Sequence, residues 1–276
     1  MSVCAINGPE VAARADERHM AHAIRIARRA LGATAENPAV GCVIVKDDVV
    51  IGTGVTAPAG RPHAETEALA MAGEKAQGAT AYVTLEPCSH HGRTPPCTEA
   101  LADAGIKRVV VAMRDADPRV KGQGLEALAA RGVEVVHGVL REEARHVLRG
   151  FLSRIERGRP HVMLKLAVSA DGMIAAAPGR PTAITGKQAL ARAHLMRAEA
   201  DAILVGAGTI AADDPALTCR LPGLQERSPL RVVLDSAMRT TADAQVVKTA
   251  HEAPTVIFTT PAGRAPALAL KERAPA

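Results

Sequence analysis

The sequence predicts an α/β fold divided into two domains. The chain has 276 residues, of which 47% are apolar, and this length suits two domains of ordinary size. Short apolar runs typical of strands alternate with segments of helical spacing, an order that favours helices packed on a mostly parallel sheet. The polar stretch Glu156–Pro160 carries Gly and Pro and separates two such alternations. It therefore predicts domains over residues 1–156 and 161–276.

The first domain opens with a helix over Asp16–Leu31, which is expected to end at Gly32. Two β-branched runs, Val43–Val45 and Val49–Ile51, flank Lys46–Asp48 and predict a hairpin. Further strands are predicted over Ala81–Leu85, Arg108–Ala112 and Val133–Val136, and helices over Glu65–Ala76, Thr98–Ala104 and Gly124–Arg131.

The second domain repeats the alternation with different spacing. Strands are predicted over Val162–Val168, Ala202–Val205, Arg231–Asp235 and Thr255–Thr259, and a helix over Lys187–Ala200. The last stretch, Pro261–Ala276, is rich in Ala and Pro and has weak periodicity. No closing strand is predicted there.

The composition of the chain favours a small-molecule partner over nucleic acid. The chain has no Trp, one Tyr and two Phe, which is too few rings for a platform that stacks single-stranded nucleic acid. The net charge is +5 and the basic residues are mostly scattered Arg, so a phosphorylated small molecule fits at least as well as RNA. We therefore expect a small-molecule partner and neither nucleic acid nor membrane, while a homo-oligomer stays open.

Cellular location follows from the termini and the cysteines. The N-terminus lacks a signal-like pattern, and no apolar run approaches the ~18 residues that a membrane helix needs. Five Cys is an odd number in a long chain without a signal, which indicates reduced thiols and a metal role. The cytoplasm is the expected compartment.

The residues that carry chemistry are His63, Glu65, Cys88 and Cys97. One imidazole and two thiolates are ligands that Zn²⁺ prefers, and three protein ligands leave the fourth tetrahedral position open to water. An open position is typical of catalysis, because zinc lowers the pKa of a bound water to about 7. Glu65 lies just past His63 at the predicted start of a helix, where it is expected to act as the catalytic proton shuttle.

His-x-Glu followed by Pro-Cys and a second Cys resembles the signature of zinc-dependent nucleobase deaminases, although eight residues separate the two Cys here. The insert Ser89–Pro96 and the segment Glu36–Gly41 resemble the deaminase domain of the bifunctional riboflavin-biosynthesis deaminase/reductase family. This resemblance implies a cytidine-deaminase-like α/β/α domain that hydrolytically deaminates 2,5-diamino-6-ribosylamino-4(3H)-pyrimidinone 5′-phosphate. It further implies that Asn37 and His90 hold the pyrimidine and that Arg93 holds the phosphate.

The second half resembles the reductase domain of the same family, which has a dihydrofolate-reductase-like fold and uses NADPH. Four segments carry the resemblance, namely Lys165–Gly172, Gly206–Thr209, Ala211–Thr218 and Asp235–Ser236. The resemblance implies cofactor contacts from Ala167, Ala183, Thr209, Asp213 and Ser236, and substrate contacts from Arg197, Leu217 and Arg220.

Two departures from the family weaken the expected reductase. Ala183 stands where many relatives have Trp, which removes a large apolar wall near the cofactor. Relatives also continue into a Glu-Gly-Gly turn and closing strands, which are not found before Ala276. On this basis the reductase domain is expected to be truncated, with weak or absent activity.

Three alternatives stay open from the sequence alone. His90 or His91 could complete a closed, four-ligand structural zinc site. A tRNA-adenosine or other nucleotide deaminase is a second reading, although it predicts a two-residue Cys spacing. A catalytically silent zinc scaffold or RNA-binding protein is a third, and it is compatible with the sequence pI of about 9.1.

Overall fold

The computed structural model describes residues 9–91, 95–118, 120, 122–177 and 182–273. The chain divides into two compact units, Met1–Val162 and Met163–Ala276. The boundary predicted at Glu156–Pro160 stays a prediction. Within the described residues, no helix is both long enough and apolar enough to cross a membrane.

A five-stranded sheet in the order β2-β1-β3-β4-β5 forms the centre of the first unit. Its strands are β1 (Gly41–Lys46), β2 (Val49–Val55), β3 (Thr80–Val83), β4 (Arg108–Val111) and β5 (Glu134–His137). The helices described in this unit are α1 (Pro9–Ala27), α2 (Ala64–Ala72), α3 (Cys97–Asp103), α4 (Gln123–Ala130), α5 (Arg141–Val147) and α6 (Arg149–Arg157). Strand β1 is antiparallel to β2 and β3, whereas β3, β4 and β5 are parallel to one another.

Strand β1 is buried on both faces and separates the core into two clusters. Cys42 and Ile44 pack with the alanines of α2 and with Leu101 of α3. Val43 and Val45 point to the other face, where they pack with Met20 of α1 and with residues of α5. The unit is therefore a three-layer α/β/α sandwich, and the fold expected from the resemblance is confirmed.

Glycines in the sheet allow the helices to approach it closely. A Cβ atom on Gly54 of β2 would lie 2.1 Å from the carbonyl oxygen of Ala64, and one on Gly52 would lie 2.3 Å from that of Ala68. On the other face, a Cβ atom on Gly41 would lie 2.2 Å from the carbonyl oxygen of Ala23 in α1. Helix α2 consequently lies directly on β2, at a distance that a residue larger than glycine at position 52 or 54 would not permit.

The second unit contains a three-stranded parallel sheet in the order β6-β7-β8. Its strands are β6 (Ala202–Gly206), β7 (Leu230–Leu234) and β8 (Thr255–Phe258), and its described helices are α7 (Lys187–Ala198), α8 (Ala207–Asp213), α9 (Gln245–Lys248) and α10 (Arg264–Arg273). One sheet face packs Val205, Val233 and Ile257 against apolar residues of α8, α9 and α10. The other face leaves Leu204 and Phe258 more than half exposed, at 59% and 58%.

Most predicted elements are confirmed, including the hairpin of β1 and β2 and the helices α2, α3, α4 and α7. The strand predicted over Val162–Val168 is wrong: no strand is formed there, and Val162, Leu164 and Leu166 are exposed. An apolar run forms a strand only where a neighbouring strand offers hydrogen bonds, and no described sheet includes this segment. The weakly periodic C-terminal stretch forms α10, and α5 and α6 were not predicted.

Candidate active site

The cavity of the first unit lies at the carboxyl ends of three of its strands. Because β2, β3 and β4 run in the same direction, the segments that follow them all emerge at the same end of the sheet. His63 lies beyond β2, Cys88 and Cys97 lie beyond β3, and Asp115 and Asp117 lie beyond β4. The carboxyl edge of a parallel sheet is where α/β proteins usually bind ligands.

His63, Cys88 and Cys97 form a cluster of metal-ligand type. The ligand atoms of these three residues all lie within 4.8 Å of one another. His63 Nδ1 is 3.2 Å from Cys97 Sγ and 3.7 Å from Cys88 Sγ. The backbone N–H of Cys97, at the start of α3, donates to Cys88 Sγ at 3.4 Å.

This cluster fits a tetrahedral zinc ion in donor type and in spacing. Bond lengths of about 2.0–2.1 Å to nitrogen and 2.3 Å to sulfur place ligand atoms of a tetrahedral site roughly 3.5–3.8 Å apart. The observed separations from His63 Nδ1 are close to that range. Among the described residues, neither His90 nor His91 belongs to the cluster, and His91 Nε2 instead lies 3.7 Å from Glu99 Oε2. A closed site completed by either histidine is therefore not supported.

The two thiols differ in acidity. Hydrogen bonding with Cys97 and His63 lowers the pKa of the Cys88 thiol to about 4, although burial opposes this shift. Contact with Cys88 and burial raise the pKa of the Cys97 thiol. The thiolate, and not the thiol, is the form that binds a metal, so the low pKa of Cys88 suits a cation. A bound metal would favour the thiolate form of Cys97 as well.

Glu65 lies in the first turn of α2, directly beside the cluster. Its side chain is buried, with 4% of the residue exposed, and its carboxyl group hydrogen-bonds with the Cys97 thiol. Burial raises the pKa of the Glu65 carboxyl. His63 immediately precedes α2, so the close packing of α2 on β2 fixes both residues.

A cavity of about 260 Å³ opens above this group. Asn37 and His90, the residues implied to hold the pyrimidine, both line the cavity together with His63, Glu65 and Cys88. The Asn37 side-chain amide donates to the carbonyl oxygen of Thr34 at 3.3 Å, which fixes its orientation. Arg93, the residue implied to hold the phosphate, lies outside the described residues.

Further charged residues line the cavity, and the sequence reasoning missed them. Glu86, Asp115 and Asp117 line the cavity, and Arg154 of α6 also lines it, with its guanidinium 5.8 Å from the Phe151 ring centroid. A signal for the three acids was present, because each follows the carboxyl end of a predicted parallel strand. No comparable pattern marked Arg154, since α6 was not predicted.

In the second unit, two of the residues implied to bind substrate share a neighbour. An Arg197 guanidinium nitrogen lies 3.4 Å from His194 Nδ1, and the backbone N–H of Arg220 donates to the same atom at 3.2 Å. Burial lowers the pKa of the Arg197 guanidinium, and repulsion from Arg220 lowers it further. Leu217 is buried in the segment between them, with a φ of 55°. The structure thus brings together two cations where an anionic substrate is expected.

The residues implied to bind cofactor are less closely grouped. Thr209 follows β6 and Ser236 follows β7, so both lie at the carboxyl edge of the parallel sheet. Asp213 ends α8 and is exposed. Ala167 and Ala183 lie in segments without helix or strand, and the structure does not join them to the sheet edge.

Two family models match the chain. The "cytidine and deoxycytidylate deaminase zinc-binding region" matches residues 13–113, and the "RibD C-terminal domain" matches residues 160–268. Both the deaminase and the reductase-type domain are therefore present. The expectation of a truncated, weakened reductase is not borne out by this match.

Curated relatives match over most of the chain. The riboflavin biosynthesis protein RibD of Escherichia coli (strain K12) is 49% identical over 244 residues, which cover 84% of this chain and 66% of the relative. RibD of Aquifex aeolicus (strain VF5) is 46% identical over 244 residues, which cover 88% of this chain and 68% of the relative. The chain spans about two thirds of the length of these two relatives.

Solved structures agree with these relatives. Acinetobacter baumannii RibD, form 1, superposes with a TM-score of 0.83 at 42% identity, covering 95% of this chain and 72% of that chain. A diaminohydroxyphosphoribosylaminopyrimidine deaminase/5-amino-6-(5-phosphoribosylamino)uracil reductase from Thermotoga maritima gives a TM-score of 0.83 at 41% identity, covering 90% of this chain and 70% of that chain.

Proposed function

This chain belongs to the RibD family of riboflavin biosynthesis proteins, and from that premise we propose that its first unit hydrolytically deaminates 2,5-diamino-6-ribosylamino-4(3H)-pyrimidinone 5′-phosphate. The second unit is proposed to reduce the ribosyl side chain of the product with NADPH. The observation that carries the first activity is the cluster of His63, Cys88 and Cys97 beside the buried carboxyl of Glu65, at a cavity that His63, Glu65 and Cys88 line.

The metal is proposed to be held by His63 Nδ1 and the two cysteine sulfurs. When bound, zinc supplies a Lewis acid that makes water nucleophilic near neutral pH. An imidazole and two thiolates leave such an ion an open coordination position, which is the arrangement of catalytic sites. Two reduced thiols also suit a reducing compartment, and we propose the cytoplasm.

Glu65 is proposed to move the protons of the reaction. Hydrolysis forms a bond from the water oxygen to the amino-bearing ring carbon and breaks the bond from that carbon to the amino nitrogen. The Glu65 carboxylate accepts a proton from the water and returns it to the pyrimidine ring nitrogen. It then transfers the remaining water proton to the amine, which leaves as ammonia while the ring gains a carbonyl.

Binding of the substrate is proposed to use Asn37, His90 and Arg93. Asn37 and His90 offer hydrogen-bonding groups to the pyrimidine, and Arg93 offers bidentate donors to the phosphate. Since every one of these groups suits a small phosphorylated pyrimidine, we propose that the partner is this molecule and not RNA.

The second activity is proposed to bind its substrate through Arg197 and Arg220, with Leu217 as an apolar contact. The Arg197 guanidinium and the Arg220 backbone both contact His194 Nδ1, and the two arginine charges repel one another, which favours an anion beside them. Ala167, Ala183, Thr209, Asp213 and Ser236 are proposed to contact NADPH. When bound, NADPH would supply the hydride for reduction of the ribosyl side chain, while Arg197 and Arg220 would hold the substrate.

The deaminase proposal is tested by ammonia release from the diaminopyrimidine phosphate, with and without a zinc chelator. Glu65→Gln should lower kcat by about 10²-fold or more while zinc is retained, because the proton shuttle is lost. Glu67→Gln is the matched control, since Glu67 lies exposed on the same helix. Addition of NADPH after ammonia release should then produce NADPH oxidation if the second unit is active.

Two outcomes contradict the proposal. Full ammonia release by Glu65→Gln would remove Glu65 from the mechanism. No ammonia release from the unmodified, zinc-loaded chain, together with RNA binding that weakens steeply with salt, would favour the scaffold alternative.

A further inference from the structure

Glu86 is a buried acid that the proposed chemistry does not use. It lies between β3 and Cys88, and 4% of the residue is exposed. Its carboxylate accepts three backbone hydrogen bonds from one distant segment. The N–H groups of Asp115 and Gly122 donate to Oε2 at 3.0 Å each, and the N–H of Gly124 donates to Oε1 at 2.9 Å.

The donors belong to the loop between β4 and α4 and to the first turn of α4. Gly122 directly precedes α4, and Gly124 lies in its first turn. These N–H groups have no partner within the helix, so the Glu86 carboxylate satisfies them and lies favourably at the positive end of the helix dipole. Glu86 thus caps α4 from a separate part of the chain.

The contact between the two segments is tight enough to exclude a side chain. A Cβ atom on Gly124 would lie 2.1 Å from the carbonyl oxygen of Pro87, the residue next to Cys88. The backbone N–H of Glu86 itself donates to the carbonyl oxygen of Met113 at 3.0 Å. The loop after β4 is therefore fastened to the Glu86–Cys88 segment at both of its ends.

The same loop contributes one wall of the cavity. Asp115, Asp117 and Val120 all line the cavity, and the Asp117 N–H donates to Asp115 Oδ1 at 2.9 Å. With Glu86 in place, the distance between this wall and the group of Glu65 and Cys88 is fixed. Without the three hydrogen bonds, the loop keeps the Met113 hydrogen bond and the Gly124 contact with Pro87, but the wall is held less firmly relative to the reacting groups.

We propose that Glu86 is a positioning residue for deamination, which holds the wall of Asp115, Asp117 and Val120 in register with Glu65 so that the pyrimidine binds in one orientation. This inference rests on the proposed function. It assigns Glu86 to substrate binding through the wall and gives it no part in proton transfer or metal ligation.

The test compares Glu86→Gln with Glu126→Gln, an exposed acid on the same helix α4. In Glu86→Gln the side-chain amide keeps one acceptor oxygen but presents a donor to backbone donors, so at least one hydrogen bond is lost. We expect the KM of ammonia release to rise by about 10-fold or more with kcat within a factor of about three, because binding common to ground and transition states is lost. Glu86→Asp keeps the charge and should give a smaller rise in KM.

Two readouts besides activity separate positioning from general stability. Hydrogen exchange of the backbone in 113–124 should accelerate in Glu86→Gln and stay unchanged in Glu126→Gln. The absorption spectrum of the cobalt-substituted protein, which reports on thiolate ligation, should be the same in both variants. A role in stability alone predicts the opposite pattern, with an unchanged KM and a kcat that falls with metal content.

Each result decides the matter. An unchanged KM in an active, metal-loaded Glu86→Gln protein would overturn the proposal for Glu86 and leave the proposed function intact. If Glu86→Gln does not fold, Glu86→Asp replaces it, and an unchanged KM and exchange rate there would overturn the proposal equally. Absence of ammonia release from the unmodified chain would overturn the proposed function and this inference with it.

Discussion

Asp16 of α1 and Arg108 of β4 form a bidentate ion pair on the sheet face opposite α2. Arg108 donates to both carboxylate oxygens of Asp16 at 2.8 Å, and the Tyr82 hydroxyl donates to Asp16 Oδ1 at 3.0 Å. Burial alone would raise the pKa of the Asp16 carboxyl, but the hydrogen bonds from Arg108 and Tyr82 hold it below its usual value. The pair joins α1 to β3 and β4, which are distant from it in sequence.

Asp16→Asn should lower the free energy of unfolding by about 2 kcal/mol at pH 7, less than for a fully buried pair because Arg108 is partly exposed. Since the folded pKa of Asp16 is depressed, its contribution is present above the unfolded value of about 3.9 and is lost as the pH falls through the folded value. Urea unfolding measured from pH 7 to pH 3 should show a smaller loss of stability for the variant than for the unmodified chain.

Asp103→Asn is the control for this prediction. Asp103 pairs with Arg131 at the surface, with 66% of its side chain exposed, and exposed pairs contribute about 0–1 kcal/mol. Equal effects of the two substitutions would show that the Asp16 pair contributes no more than a surface pair.

The site residues that could be predicted from the sequence differ in type from those that could not. His63, Cys88 and Cys97 could be predicted because their residue types are themselves the ligand set of zinc. The partners of Glu86 and Asp16 could not, since the hydrogen-bonded residues are up to 38 and 92 positions away. Such pairing depends on the packed sheet and leaves no local pattern.

At the scale of the elements, periodicity predicted the helices and strands whose own residues favour them. The β1–β2 hairpin and α2 carry their own apolar spacing and turn residues, and both formed as expected. Helix α10 was not predicted, because its segment has weak periodicity, and the strand predicted over Val162–Val168 was wrong, because this segment lacks a strand partner in the described sheets. Pairing of strands is a property of the fold that an apolar run does not encode.

Gly54→Ala tests whether the close packing of α2 on β2 positions the site. The added Cβ would meet the Ala64 carbonyl oxygen at 2.1 Å and the Ala68 nitrogen at 2.6 Å, so α2 must shift and carry Glu65 with it. We expect a loss of about 1–3 kcal/mol in the free energy of unfolding from overpacking, and at least a 10-fold fall in kcat/KM for ammonia release, since misplaced groups lose catalytic geometry.

Gly150→Ala provides the comparison, because Gly150 lies in α6 with open space around its Cβ position. Helix propensity predicts unchanged or slightly raised stability there, by up to about 1 kcal/mol. Wild-type kcat/KM in Gly54→Ala would mean that the position of α2 on β2 does not control the site.

At the scale of the whole molecule, the two units have separate cores. The clusters around β1 consist of residues from the first unit, and the cluster around β7 consists of residues from the second. Chain length, the two alternations of strands and helices, and the resemblance predicted two α/β domains. The proposed metal belongs to one unit only, so its binding energy should stabilise that unit alone.

Removal of zinc by a chelator should therefore lower the Tm of the first unit and leave that of the second unchanged. Cys42 is fully buried in β1 and Cys219 is buried in the second unit, so alkylation of each thiol on heating reports on its own unit. A ligand at about 100 times its Kd adds about 2.7 kcal/mol, which corresponds to a fall of roughly 5–10 °C in the midpoint for Cys42 on chelation. In His63→Ala this fall should be smaller, because a metal ligand is missing. Equal shifts for Cys42 and Cys219 would show that the two units unfold together, and no shift for either would show that no bound metal stabilises the fold.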